Sequence, residues 1–171
     1  LQDASAAGDK LTEAQIARGL REMGVESSPD GIFTADSLRV SEAMQPAFAQ
    51  LMASLVQDNL LTKEGDGYRS TPAFTIAADS TPALFRSGIS NHPGHLPEAL
   101  LCAATCAELG PILRGEKDAV QVLFASGGPE LLDQFYGDGP ITSPWLGAIA
   151  SAVEEVARHL PEGRGLRILE I

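Results

Sequence analysis

The last six residues, Leu166-Arg167-Ile168-Leu169-Glu170-Ile171, constrain the fold more than any other stretch of this chain. They form a short apolar run behind a linker punctuated by Pro and Gly, Pro161 to Gly165, and that pattern reads as a buried strand. An acidic residue inside such a run stands where a nucleotide-binding strand precedes its glycine-rich turn. With Ile171 as the last residue, the expectation is the front end of a catalytic domain whose cofactor loop lies elsewhere.

A chain of 171 residues forms one domain or two small ones and is long enough to bury a core. Hydrophobic residues make up 44% and charged residues 20%, a globular rather than disordered balance. The net charge of -11 is spread along the chain: 11 acids and 6 bases up to Thr75, then 12 and 6. Without a basic segment there is no footprint for a phosphate backbone, so nucleic acid is not an expected partner. No apolar run approaches a membrane span and no secretory signal opens the chain. Cys102 and Cys106, four apart in a helical pattern, fit a reducing compartment, and the expected location is cytoplasmic.

The pattern predicts a mainly α chain with a small β component. Residues 1–9 read as a linker, and Thr12-Glu13-Ala14-Gln15 as a capping box opening a helix that Gly24 closes. Ser27 to Gly31 reads as a turn, Ile32-Phe33-Thr34 as a short strand and Ser41 to Asn59 as a second helix. A hairpin follows, centred on Gly65-Asp66-Gly67. Helix, strand, helix, hairpin is the order of a winged-helix-like unit, assigned to residues 10–75. The stretch from Thr71 to Pro82 joins it to a helical subdomain at 83–160, and 166–171 is the terminal strand. In that subdomain Gly110-Pro111 is expected to stop one helix, Ser126-Gly127-Gly128-Pro129 to break another, and Ser143-Pro144 to start a third.

Four features could carry chemistry. His92, His95, Cys102 and Cys106 are zinc-ligand types, but Cys-x3-Cys in an Ala/Leu-rich helix favours core packing, and no metal is expected. The second helix of the winged-helix-like unit holds no Lys or Arg between Ser41 and Asn59, which argues against DNA and for packing. Ser126 to Pro129 reads as an ordinary turn rather than an anion loop. Phe135, Tyr136 and Trp145 bracket a Gly/Pro-rich loop, Gly137 to Pro144, and either line a cleft or anchor a core. His159 has only Glu155 in spacing, a surface pair, and no nucleophile–base arrangement is readable.

The second half also carries an ordered set of short motifs. His95-Leu96-Pro97-Glu98 is followed by Leu109 to Asp118 (LGPILRGEKD), then Val122-Leu123-Phe124, Gln134 to Pro140 (QFYGDGP) and Leu166 to Ile171. In order and spacing this set resembles the region entering the C-methyltransferase domain of polyketide synthases, over about residues 92–171. The resemblance implies a helical lid over a Rossmann-like core that binds S-adenosylmethionine. It implies methylation of the α-carbon of a β-ketoacyl chain held on an acyl carrier protein, with the remaining core and other synthase domains as partners. The family's glycine-rich loop and acid/base residues have no match in this chain, so no catalytic residue is assigned and no cofactor is expected for these residues by themselves. Tyr136 matches the family's loop tyrosine and, with Phe135 and Trp145, is the implied lid contribution to the cofactor or acyl pocket. The alternative implied is a structural adaptor, a methyltransferase remnant packing between neighbouring domains of a loading module.

Overall fold

The computed structural model describes residues 2–27, 31–137, 139–140 and 142–169. It is mainly helical with one small sheet. Helix α1 (Gln2–Glu22) runs through the stretch expected as a linker, so residues 2–9 are its first two turns. The Ala-rich sequence sustains the helix there, which also puts Thr12 and Gln15 in mid-helix rather than in a capping box. Gly24 ends the helix as expected, at φ 97°, a conformation only glycine adopts cheaply.

Strand β1 (Ile32–Phe33), helix α2 (Gln45–Gln57) and strands β2 (Leu61–Glu64) and β3 (Gly67–Ser70) follow in the anticipated order. The expected turn before β1 falls partly outside the described residues, at 28–30. The sheet is antiparallel in the order β1-β3-β2, with Phe33 opposite Tyr68 and Glu64 opposite Gly67. A two-residue turn, Gly65-Asp66, closes the hairpin with Gly65 at φ 60°, where a type II′ turn needs glycine. Tyr68 stands 5.9 Å from the Phe33 ring and edge-on to Phe48 at 6.3 Å, locking the hairpin to α2.

Helix α3 (Pro72–Asn91) replaces the expected joining stretch. Thr71 makes this possible: its hydroxyl accepts from the Phe74 amide at 3.4 Å and donates to the Leu60 carbonyl at 3.0 Å, capping the helix and tying it to the residue that leads into β2. Pro82 sits inside the helix, where its missing N–H strands the Ala78 carbonyl. The neighbouring Thr81 hydroxyl supplies that hydrogen bond at 2.9 Å and lies 3.0 Å from the Ala14 carbonyl of α1. Small residues on α1, Ala14 and Ala17, are fully buried and let α3 approach this closely. Arg21 clamps the same pair of helices, donating to Asp79 at 2.7 Å and to the Thr75 carbonyl at 2.9 Å.

Helix α4 (Leu96–Ala107) is followed directly by α5 (Leu109–Leu113), so Gly110-Pro111 does not stop the chain but lies inside a new turn of helix. Burial explains the difference. Leu109 and Leu113 plug the core formed by Leu20, Phe33, Met52, Leu55, Leu61 and Phe74, so residues on both sides of the expected junction share one hydrophobic interior. The Leu113 carbonyl also accepts from the Ser41 amide at 2.9 Å.

Helix α6 (Ala119–Gly137), opened by Asp118 accepting from the Gln121 amide at 3.0 Å, passes through the backbone of 126–129 without the expected break. Packing against α4 and α7 (Thr142–Arg158) overrides the local turn preference. Between α6 and α7, Gly139 is buried with the Phe135 carbonyl where a Cβ would stand, and the Thr142 hydroxyl donates to that same carbonyl. Within the loop from Gly137 to Pro144, residues 138 and 141 lie outside the described residues. Residues 166–169 are exposed and in no strand, and Glu170 and Ile171 of the expected terminal strand lie outside the described residues. A strand needs a ladder partner for its amides, and the three-stranded sheet does not extend to this segment.

Candidate functional site

The approach of α1 to α3 and α4 leaves two clefts on either side of Gln15. One, of about 240 Å³, is lined by Asp9, Thr12, His92, His95, Glu98 and Cys102. The other, of about 500 Å³, includes Arg18, Thr81, Phe85, Arg86 and Cys106. Helix α3 ends at His92, whose amide donates to the Gly88 carbonyl at 2.8 Å, and a short 3-10 turn, Pro93–His95, delivers His95 to the start of α4. Pro97 in the first turn of α4 needs no partner for its absent N–H, as the sequence suggests.

The sequence grouping of His92, His95, Cys102 and Cys106 is therefore partly realised: the first three line one cleft, while Cys106 opens on the other. The imidazole rings of His92 and His95 are 6.3 Å apart and edge-on. His95 Nδ1 lies 3.8 Å from Glu98 Oε1. The cysteine sulfurs are 4.0 Å apart, and Cys102 Sγ is 3.8 Å from the Thr12 hydroxyl. Among the described residues, no three His, Cys, Asp or Glu side chains come together as a metal site. The Cys106 thiol, donating to its neighbour, lowers Cys102 to about 7, with Thr12 adding to the effect against the opposing influence of burial. The same hydrogen bond, and burial after it, push Cys106 up.

Sequence reasoning missed Gln15, Thr12 and Glu98. Gln15 is buried and its Oε1 meets no donor, as is true of both Glu98 carboxylate oxygens. Only the i, i+3 spacing of His95 and Glu98 hinted at this grouping. Gln15 gave no signal, because its burial depends on the crossing of three helices.

Phe135, Tyr136 and Trp145 lie elsewhere and line neither cleft. Phe135 and Tyr136 end α6 with their rings 5.0 Å apart and perpendicular. Tyr136 is 55% exposed, and Trp145 in the first turns of α7 is 72% exposed. Tyr136 and Trp145 belong to a band: among the described residues, ten of the twelve exposed large apolar side chains fall between Val120 and Leu169. On α7, Trp145, Ile149 and Val156 repeat at helical spacing and stand in solvent as one face. His159 and Glu155 form the exposed pair that their spacing suggests, 3.3 Å apart. Among the described residues no helix is long and apolar enough to cross a membrane.

No family model matches the chain. It is 27% identical over 138 residues, 80% of its length, to the polyketide synthase ThaG of Burkholderia thailandensis. It is 29% identical over 110 residues, 62% of its length, to the non-reducing polyketide synthase pkdA of Emericella nidulans. It spans 2% and 4% of those two proteins. Among solved structures it superposes on the DszA carbon methyltransferase with a TM-score of 0.77 at 21% identity, covering 95% of this chain and 43% of that one. The CurJ carbon methyltransferase gives 0.76 at 21% identity, covering 96% and 44%, and the citrinin polyketide synthase CMeT domain 0.74 at 18%, covering 92% and 42%. The fold is that of the N-terminal part of such methyltransferase domains.

Proposed function

We propose that the chain is the helical lid of an S-adenosylmethionine-dependent carbon methyltransferase within a polyketide synthase. In this reading it covers a Rossmann-like core that methylates the α-carbon of a β-ketoacyl chain tethered to an acyl carrier protein. The observation that carries the reading is the apolar band from Val120 to Leu169, left in solvent on a fold that spans under half of its solved relatives. An amphipathic helix with Trp145, Ile149 and Val156 outward is a surface that another body covers.

S-adenosylmethionine, when bound, supplies an electrophilic methyl group. The exposed rings of Tyr136 and Trp145 fit one wall of such a site, offering flat apolar faces with a polar handle for an adenine or an acyl chain. The Phe135 ring packs perpendicular to that of Tyr136, 5.0 Å away, and extends the same apolar wall. The chain's own task is then to exclude water and hold the tethered carbon in line with the donor. The lid alone is thus expected to be inactive.

Isothermal titration of S-adenosylmethionine tests this, using the chain alone and the chain mixed with the methyltransferase core of its own synthase. The chain alone is expected to release no binding heat, and the mixture to bind more tightly than the core by itself. Stoichiometric binding by the chain alone would overturn the reading, as would a core indifferent to the chain.

A further inference from the structure

We propose that Cys102 is a thiol-exchange site that selects small disulfides bearing a positive charge. The site stands apart from the apolar band and does not depend on the lid reading. Cys102 opens on the cleft of about 240 Å³, with Cys106 Sγ at 4.0 Å and Thr12 Oγ1 at 3.8 Å. Both cysteines are free and half-buried. A sulfur flanked by a second thiol and a hydroxyl is stabilised as a thiolate, the nucleophilic form, while its partner keeps its proton. The lowering of Cys102 to about 7 follows from those two neighbours, the Cys106 hydrogen bond first.

The groups facing Cys102 set the selectivity. Helix α1 contributes Asp9, the end of α3 contributes His92, the short connection contributes His95, and α4 contributes Glu98 and Cys106. Glu98 precedes Cys102 by one helical turn, so the two side chains are neighbours on one face. Its two oxygens are buried and accept no hydrogen bond, and Gln15 Oε1 beside it is in the same condition. With the His95 imidazole no nearer than 3.8 Å to Glu98 Oε1, these oxygens are acceptors left without a hydrogen bond, which an ammonium group satisfies. An anionic disulfide meets Asp9, Glu98 and a chain of net charge -11 instead.

In the exchange, the Cys102 proton passes to solvent and the thiolate attacks one sulfur of the incoming disulfide. A Cys102–sulfur bond forms as the original S–S bond breaks, and the departing thiolate takes a proton from solvent. One disulfide is exchanged for another, so no further oxidant is needed.

The test compares cystamine, hydroxyethyl disulfide and oxidised glutathione at equal concentration on the intact chain. Adducts are followed by mass spectrometry and located by peptide mapping. Wild type is expected to form its adduct at Cys102, about fivefold faster with cystamine than with the neutral disulfide, as a partly exposed ion pair allows. Glutathione disulfide is expected to be slowest. Glu98→Gln should bring cystamine and the neutral disulfide to parity, and Cys106→Ser should move the pH midpoint of the rate upward from about 7. An adduct mapped to Cys106, no adduct, equal rates in wild type, or a preference surviving Glu98→Gln would each overturn the proposal. Mapping on wild type decides the site even if a cysteine variant fails to fold.

Discussion

Two glycines on one helix should respond to alanine in opposite directions. Gly19 lies on α1 where a Cβ would come 2.9 Å from the Cys106 carbonyl oxygen and 3.0 Å and 3.1 Å from Leu109 Cδ2 and Cβ. Ordinary contact begins at 3.4 Å, so the joint between α4 and α5 must retreat by about 0.5 Å, and a backbone oxygen cannot swing aside as a side-chain tip can. Removing a helical glycine gains about 1 kcal/mol, while overpacking a tight contact costs about 1–3 kcal/mol. The clash wins: Gly19→Ala should lose about 1 kcal/mol net, lowering Tm by about 2–4 °C for a chain of this size. Gly8, on the same helix, has nothing within 4 Å of an added Cβ. Gly8→Ala keeps only the propensity gain and should raise Tm by up to about 3 °C. Thermal unfolding followed by circular dichroism at 222 nm reads both. A Gly19→Ala protein as stable as Gly8→Ala would refute the close seating of α4 on α1, and with it both clefts.

Glu13 offers a pH-dependent case. Burial first, then the neighbouring Asp58, raises its carboxyl above the ordinary value. A raised folded pKa favours the protonated form, so its contribution is present below the ordinary carboxylate pKa and lost as pH rises through the folded one. Glu13→Gln should therefore raise Tm at pH 7 by no more than about 2 °C and leave it unchanged near pH 4, as scanning calorimetry at the two pH values would show. Thr81→Val removes the hydroxyl hydrogen bonds to Ala14 and Ala78 in a buried position while keeping the shape. It should cost about 1–2 kcal/mol in urea unfolding with an unchanged m-value.

Much of the first half was legible because local chemistry decides it. The Gly65-Asp66 turn and the glycine after α1 each point to one structure without long-range help. Thr71 to Pro82 misled because proline and threonine signal loops. Only the folded chain shows that Thr71 caps a helix through Phe74 and Leu60, and that Thr81, held against Ala14 of α1, makes good what Pro82 removes. The same holds for Gly110-Pro111, drawn into helix by the burial of Leu109 and Leu113. Of the candidate site, the His and Cys types were visible in their spacing. Gln15 and Glu98 were not, since an unpartnered buried oxygen is a property of packed helices rather than of a motif. Leu166 to Leu169 reads as a strand in sequence because three of its four side chains are apolar, yet a strand is defined by its partner.

Amide hydrogen exchange probes the covered surface most directly. It would compare the chain alone with the chain mixed with the S-adenosylmethionine-binding core of its synthase. Protection is expected to rise in α7 (Thr142–Arg158) and at residues 166–169, with the contact of α1 on α3 unchanged. A mixture that methylates its acyl substrate while those segments exchange as in the isolated chain would contradict the lid.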